Sequence, residues 1–199
     1  MGKRYERAYF DKWYRDPRYR IESPVRLLRE VAFVVAAAEQ LLQRPLRSVL
    51  DVGAGEGRWQ PVLQRLRPGS RYAGVEPSEY AVKRWGRRRN LRDGSLDTLL
   101  TLGLDGPFDL VLCADVFHYL RTPVLRRGLR SLVAMAGGVL YLPTFAGEDA
   151  IDGDHVEFQR RRASTYRDLF REAGLIAVGL HLYLPESALP ELAALERPG

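Results

Sequence analysis

Leu50-Asp51-Val52-Gly53-Ala54-Gly55-Glu56-Gly57 is an apolar run that passes directly into three glycines set two apart. Glycine has no Cβ and tolerates positive φ, so a strand ending in such a turn brings its backbone close to a ligand. The helix that follows aims free N–H groups at the same place. The stretch therefore predicts strand, turn and helix with a nucleotide-type cofactor over the turn. The dinucleotide pattern G-x-G-x-x-G needs a glycine where this chain has Arg58, and the phosphate-cradling pattern needs Gly-Lys-Ser/Thr, which is absent.

The pattern on either side of this turn repeats it. Ser48–Val52, Tyr72–Val75, Phe108–Cys113 and Val139–Leu142 are short and almost continuously apolar, as parallel strands covered on both faces are. Between them Trp59, Val62, Leu63 and Leu66, then Ala81, Val82 and Trp85, then Val124, Leu125, Leu129, Leu132 and Val133 recur at helical spacing. A weaker strand at Leu91-Arg92 and a helix over Leu96–Leu104 complete the alternation. Upstream, Ser23 and Pro24 mark a helix start, and Leu28, Val31, Val35, Ala38 and Leu42 form its apolar stripe. Strand and helix in alternation predict a doubly wound α/β fold with a mainly parallel central sheet. Downstream, a helix over Ser164–Ala173 stops at Gly174, and Ile176–Leu184 alternates as one strand. No seventh strand is expected after it, because residues 185–199 hold three prolines and only a short Leu-Ala-Ala-Leu piece.

Tyr5, Tyr9 and Trp13 fall four residues apart and would share one face of an N-terminal helical cap. The organisation read from these patterns is a cap at 1–24, a main domain at 25–184 with an irregular, lid-like stretch at 145–163, and a tail at 185–199. A chain of 199 residues, 46% hydrophobic and 28% charged, suits one globular domain. Its longest apolar run, residues 31–38, is too short to span a membrane. The first residues lack the pattern of a secretory leader. The single cysteine, Cys113, cannot form an internal disulfide, so a reducing, cytoplasmic home is expected. The net charge of +6 is nearly all arginine. These arginines are spread along the chain, and the densest group, Arg84, Arg87, Arg88 and Arg89, sits at an expected helix end where cations complement the dipole. That argues for a solvated face and against a nucleic-acid partner.

At the end of the second strand, Glu76-Pro77-Ser78 places a carboxylate where it can accept both hydroxyls of a ribose. Phe108 to Leu120 runs from a buried strand into Ala114, Asp115, His118 and Tyr119, polar or small residues at the carboxyl edge where open α/β sheets bind ligands. The glycine turn after an acid, then Val-Glu-Pro-Ser, then this fourth-strand segment, in that order, resembles the class I S-adenosylmethionine-dependent methyltransferases over roughly residues 25–184.

The resemblance implies a cofactor site built from Asp51, Gly53, Ala54, Gly55, Glu76 and Pro77. It further implies that Asp93 and Gly94 meet the adenine, that the backbone at Ala114 and Asp115 holds the methionine end, and that His118 faces the transferable methyl as a general base. The implied cofactor is S-adenosylmethionine, with S-adenosylhomocysteine as product and no metal needed. The implied substrate is a small-molecule acceptor methylated on oxygen or nitrogen, the protein being a monomer or homodimer. Three alternatives stay open at this point. They are an RNA or protein methyltransferase on the same fold, a cofactor-binding protein without catalysis, and a nicotinamide dehydrogenase, which Arg58 disfavours. An Asn/Asp-Pro-Pro-Tyr/Phe stretch of the kind that stacks a flipped base is not found.

Overall fold

The computed structural model describes residues 5–20, 22–151 and 153–191. Asp152 of the lid stretch and the Leu-Ala-Ala-Leu piece of the tail lie outside the described residues. The chain opens with α1 (Arg7–Phe10), prolonged by a π-helical turn over Asp11–Arg15. Then comes α2 (Pro24–Leu42), capped by Ser23, whose Oγ accepts from the Arg26 N–H at 3.2 Å. There follow β1 (Ser48–Val52), α3 (Trp59–Leu66), β2 (Arg71–Glu76), α4 (Glu79–Arg89), β3 (Leu91–Asp93), β4 (Phe108–Leu112), α5 (Thr122–Met135), β5 (Ala136–Tyr141), α6 (Ala163–Glu172), β6 (Leu175–Gly179) and β7 (Leu182–Pro185).

The sheet has seven strands in the order β3-β2-β1-β4-β5-β7-β6, with β1 to β5 parallel and β7 antiparallel to both its neighbours. The apolar strands are buried because successive residues meet different layers. Leu50, Val111 and Leu140 pack with Leu125, Leu129 and Leu132 of α5 and Phe170 of α6. Val49, Leu110 and Val139 pack with Val31, Val35 and Ala38 of α2 and Leu63 of α3. Buried Asp109 ties the start of this region together, accepting from Arg44 at 2.6 and 3.0 Å and from the Arg47 and Ser48 amides at 2.7 and 3.2 Å. From β1 the chain order runs outward in both directions, to β2 on one side and β4 on the other. A crevice therefore opens over their carboxyl ends.

Three expectations need correction. The stretch Ile176–Leu184 is two strands joined by Leu180 and His181, both left-handed at φ 50° and 65°, so the sheet does have a seventh strand. Paired positive φ is the geometry of the tightest hairpin turn, usually written Asn-Gly. Leu-His carries no such mark, and the apolar alternation runs straight through it. The helix expected over Leu96–Leu104 is a single 3-10 turn at Leu99–Thr101. The N-terminal cap leaves α-helical geometry at Asp11, so the four-residue step from Tyr9 to Trp13 does not continue one α-helical face.

Leu180 is 74% exposed and held in a conformation that costs an L-residue with a bulky side chain about 1 kcal/mol. Leu180→Asn is expected to stabilise the protein by roughly 0.5–1 kcal/mol in denaturant unfolding. A variant no more stable than the parent would argue against the hairpin.

Candidate functional site

The crevice is a cavity of about 870 Å³, within the range of roughly 300–1,000 Å³ typical of ligand sites. Its floor is the turn after β1, with Asp51, Gly53, Ala54 and Gly55, beside Glu76 and Pro77 at the end of β2. Ala114, Asp115, His118 and Tyr119 form a wall, and Tyr5, Tyr9, Phe10, Trp13 and Tyr14 of the N-terminal segment roof it.

The glycines are required by space as well as by backbone angle. Gly53 (φ +75°) would place a Cβ 2.4 Å from Val116 Cγ2, and Gly55 (φ +57°) would place one 2.3 Å from the Tyr14 hydroxyl. The turn is anchored from below, where the Gly53 and Ala54 amides donate to the Val75 carbonyl at 2.8 and 3.2 Å. Glu76 anchors it from the side, accepting from the Gly55 amide at 2.7 Å through one oxygen and from the Ser78 amide at 3.0 Å through the other. Burial raises the Glu76 pKa, and the two amides pull it back. A carboxylate has about four lone-pair sites, so these two bonds leave acceptor capacity toward the cavity.

Asp51 is fully buried behind the turn and accepts from the Tyr72 hydroxyl at 2.7 Å. Burial pushes its pKa up to about 7; the Tyr72 bond opposes this and the charge of Glu76 adds to it. Asp115 sits in a left-handed turn (φ 56°), its amide donating to the Pro143 carbonyl at 2.9 Å. Its carboxylate is open toward the cavity. The protein packed around it raises its pKa to about 6, with Glu30 adding to the rise and Arg26 opposing it.

His118 lies buried on a 3-10 turn, Phe117–Tyr119. Its Nδ1 is 3.2 Å from the Thr144 hydroxyl, and its ring lies 4.3, 5.6 and 5.1 Å from those of Tyr119, Phe145 and Phe158. The Gln159 amide donates to its carbonyl at 2.7 Å, which fastens the lid stretch to this turn. Among the described residues, 145–162 holds no helix or strand.

Most of the residues named from the sequence thus meet around one cavity. Asp93 and Gly94 do not line it: Asp93 is exposed at the end of β3, and the wall beside it is Ser95, Leu96 and Asp97. Arg161 is a structural pin. It donates to the Thr122 and Tyr166 hydroxyls and to the Phe117 and Leu120 carbonyls. His181 reaches the cavity from the β6–β7 turn.

Several residues at or beside the cavity escape sequence reasoning. Arg15 donates to both Glu56 oxygens at 2.6 and 2.8 Å and so fastens the roof to the glycine turn. Glu22 and Glu30 contribute carboxylates from before and within α2. The one signal for Glu30 is its place four residues after Arg26, a polar row beside the apolar stripe.

Residues 50–139 match the family model described as a methyltransferase domain. No curated protein matches the chain. Among solved structures, CalS10, an amino pentose methyltransferase from Micromonospora echinaspora determined with S-adenosylmethionine bound, superposes with a TM-score of 0.66 at 20% identity; the match covers 92% of this chain and 98% of that one. The magnesium protoporphyrin IX methyltransferase of Synechocystis PCC 6803 superposes at 0.63 and 18% identity, covering 91% and 96%. The [4+2]-cyclase SpnF superposes at 0.57 and 21% identity, covering 84% and 63%. These likenesses show the fold. Among the described residues no helix is long and apolar enough to cross a membrane.

Because the folded state raises the Asp51 pKa, it holds a proton that the unfolded chain releases. This contribution to stability is fully present at low pH and is lost as pH rises through about 7. Asp51→Asn can still accept from Tyr72 and should gain stability relative to the parent as pH rises from about 4 to about 7. Parallel pH profiles of melting temperature for the two proteins would contradict the assignment.

Proposed function

We propose that this chain, which carries a methyltransferase domain of the class I, S-adenosylmethionine-dependent type, moves the methyl group to an oxygen or nitrogen atom of a small-molecule acceptor. The observation that carries the reading is one cavity with the glycine turn and Glu76 on its floor and His118 in its wall.

The residues suit the cofactor. Gly53 and Gly55 give the turn its left-handed backbone at the cavity floor, Glu76 offers acceptors for a ribose, and the turn at Ala114 and Asp115 borders the space for the methionine end. On the adenine side the cavity wall is Ser95, Leu96 and Asp97, next in the chain to Asp93-Gly94. When bound, the cofactor supplies an already activated methyl group, so the chain's task is to align the acceptor and exclude water. Tyr9, Tyr14 and Phe145 line the cavity, and the imidazole of His118 is the general base, a side chain whose ordinary titration lies near neutrality. The roofed cavity favours a small acceptor over a polymer. Cys113, a buried thiol, fits a cytoplasmic home.

SpnF has this fold and is described as a cyclase, so fold alone does not fix chemistry and the test must read transfer. Calorimetry should show S-adenosylhomocysteine binding, and Glu76→Ala should weaken it by about 1–3 kcal/mol. Unchanged affinity in a folded variant would remove Glu76 from the site. With radiolabelled cofactor and a panel of amines and alcohols, His118→Ala should lower turnover on the order of 10²–10⁴-fold with far less effect on cofactor affinity. A variant at parental rates shows that His118 is not the base.

A further inference from the structure

Arg161 is 9% exposed, and among the described residues no carboxylate pairs with it. A charge taken out of water is ordinarily held by an opposite charge, so a guanidinium surrounded by neutral acceptors is a costly arrangement that its hydrogen bonds must offset. Those bonds converge on one place. One terminal nitrogen donates to the Phe117 carbonyl at 3.2 Å and the other to the Leu120 carbonyl, so the fork closes over the 3-10 turn Phe117–Tyr119. His118 is the middle residue of that turn.

The other donors tie the turn to rigid elements. Nε reaches the Thr122 hydroxyl at the start of α5 at 3.0 Å, and the nitrogen on Phe117 also reaches the Tyr166 hydroxyl of α6 at 3.2 Å. The Arg161 backbone fastens the lid stretch, its carbonyl accepting from the Gly147 amide at 2.6 Å and its amide donating to the Gln159 carbonyl at 2.7 Å. Thr144 and Phe145, just before and at the start of that stretch, stand against the His118 ring, and Phe158 and Gln159, near its end, meet the ring and the carbonyl. One side chain thus joins the turn that carries His118 to two helices and to both ends of the lid stretch. The single ammonium of a lysine cannot span carbonyls three residues apart while it also reaches two hydroxyls. The flanking Arg160 and Arg162 are exposed.

We propose that Arg161 is the positioning residue for His118: it touches neither cofactor nor acceptor, and it sets where the imidazole stands in the cavity wall by holding both ends of its turn. This rests on the methyl-transfer reading above, in which His118 is the base. A base acts only within hydrogen-bond reach of the proton it takes, so the turn beneath it has to be fixed in place.

The test is nuclear magnetic resonance of the complex with S-adenosylhomocysteine, prepared with isotope-labelled histidine rings, which needs no acceptor. The chain has three histidines, and His155→Gln and His181→Gln assign the His118 signals by elimination. Arg161→Lys keeps the charge and loses the fork. It should shift and broaden the His118 ring signals, leave those of the other two histidines in place, and leave affinity for S-adenosylhomocysteine unchanged. Tyr166→Phe, which removes the link to α6 and keeps the fork on the turn, should lower the melting temperature without moving the His118 signals. Should Arg161→Lys fail to fold, Thr122→Val removes the Nε partner alone and should move the His118 signals in the same sense. With radiolabelled cofactor and an amine or alcohol that the parent methylates, Arg161→Lys should lower turnover on the order of 10²-fold without raising the KM for S-adenosylmethionine. If S-adenosylhomocysteine does not bind the parent, or His118→Ala turns over at the parental rate, the reading above falls and takes this inference with it. If both of those hold and Arg161→Lys keeps the parental His118 signals, only the inference falls. It is also overturned if Arg161→Lys disturbs all three histidines alike, because the guanidinium would then support the fold at large.

Discussion

The turn at Gly53–Gly55 has to be narrow, left-handed and rigid at once, and the carboxylate of Glu76 is what reconciles these demands. Glycine supplies the first two and removes the third, because it is the residue with most backbone freedom to lose. Glu76, a residue only 4% exposed, restores it by accepting from the Gly55 amide at 2.7 Å. The bond links the end of β2 to the turn after β1, two parallel neighbours whose register pairs Asp51 with Gly74. A side chain at Gly74 would in turn collide with Leu91 Cδ2 at 2.4 Å. The cavity floor is thus a consequence of how closely β1, β2 and β3 pack.

That packing explains which parts of the molecule can be read from the sequence. The five parallel strands are legible because burial on both faces leaves no choice but continuous apolar residues, and the helices between them because each covers one face. The hairpin at Leu175–Pro185 is not, since period-two alternation is the same for one long strand as for two short ones joined by a two-residue turn. Only the backbone angles of Leu180 and His181 separate the two cases, and neither residue type advertises a positive φ.

The candidate site divides in the same way. Gly53, Gly55, Glu76 and Asp115 follow from rules about strand ends, where chain geometry alone decides position. Asp93 follows the same rule, yet β3 is short and exposed at its end, so Ser95, Leu96 and Asp97 take the wall instead. Glu22, Glu30 and Tyr141 come from elements far apart in the chain, and their meeting depends on how α2 lies across β5, which no local pattern encodes. Arg161 shows the converse: a residue conspicuous in a run of three arginines is consumed by four local acceptors.

The roof links the two halves of the site. Tyr14 is half-buried, its hydroxyl where a Gly55 Cβ would stand, and the next residue, Arg15, forks onto Glu56 inside the glycine turn. Glycine at position 55 therefore leaves room for the aromatic roof, whose hydroxyl takes the space a side chain there would fill. Because Arg15 is partly exposed while Glu56 is buried, releasing the roof would strand a carboxylate beside the turn. That cost falls on the open state, since a buried charge without its partner is the expensive arrangement. The cover is consequently fastened at the turn itself, so the segment that shapes the cavity floor also holds the roof in place.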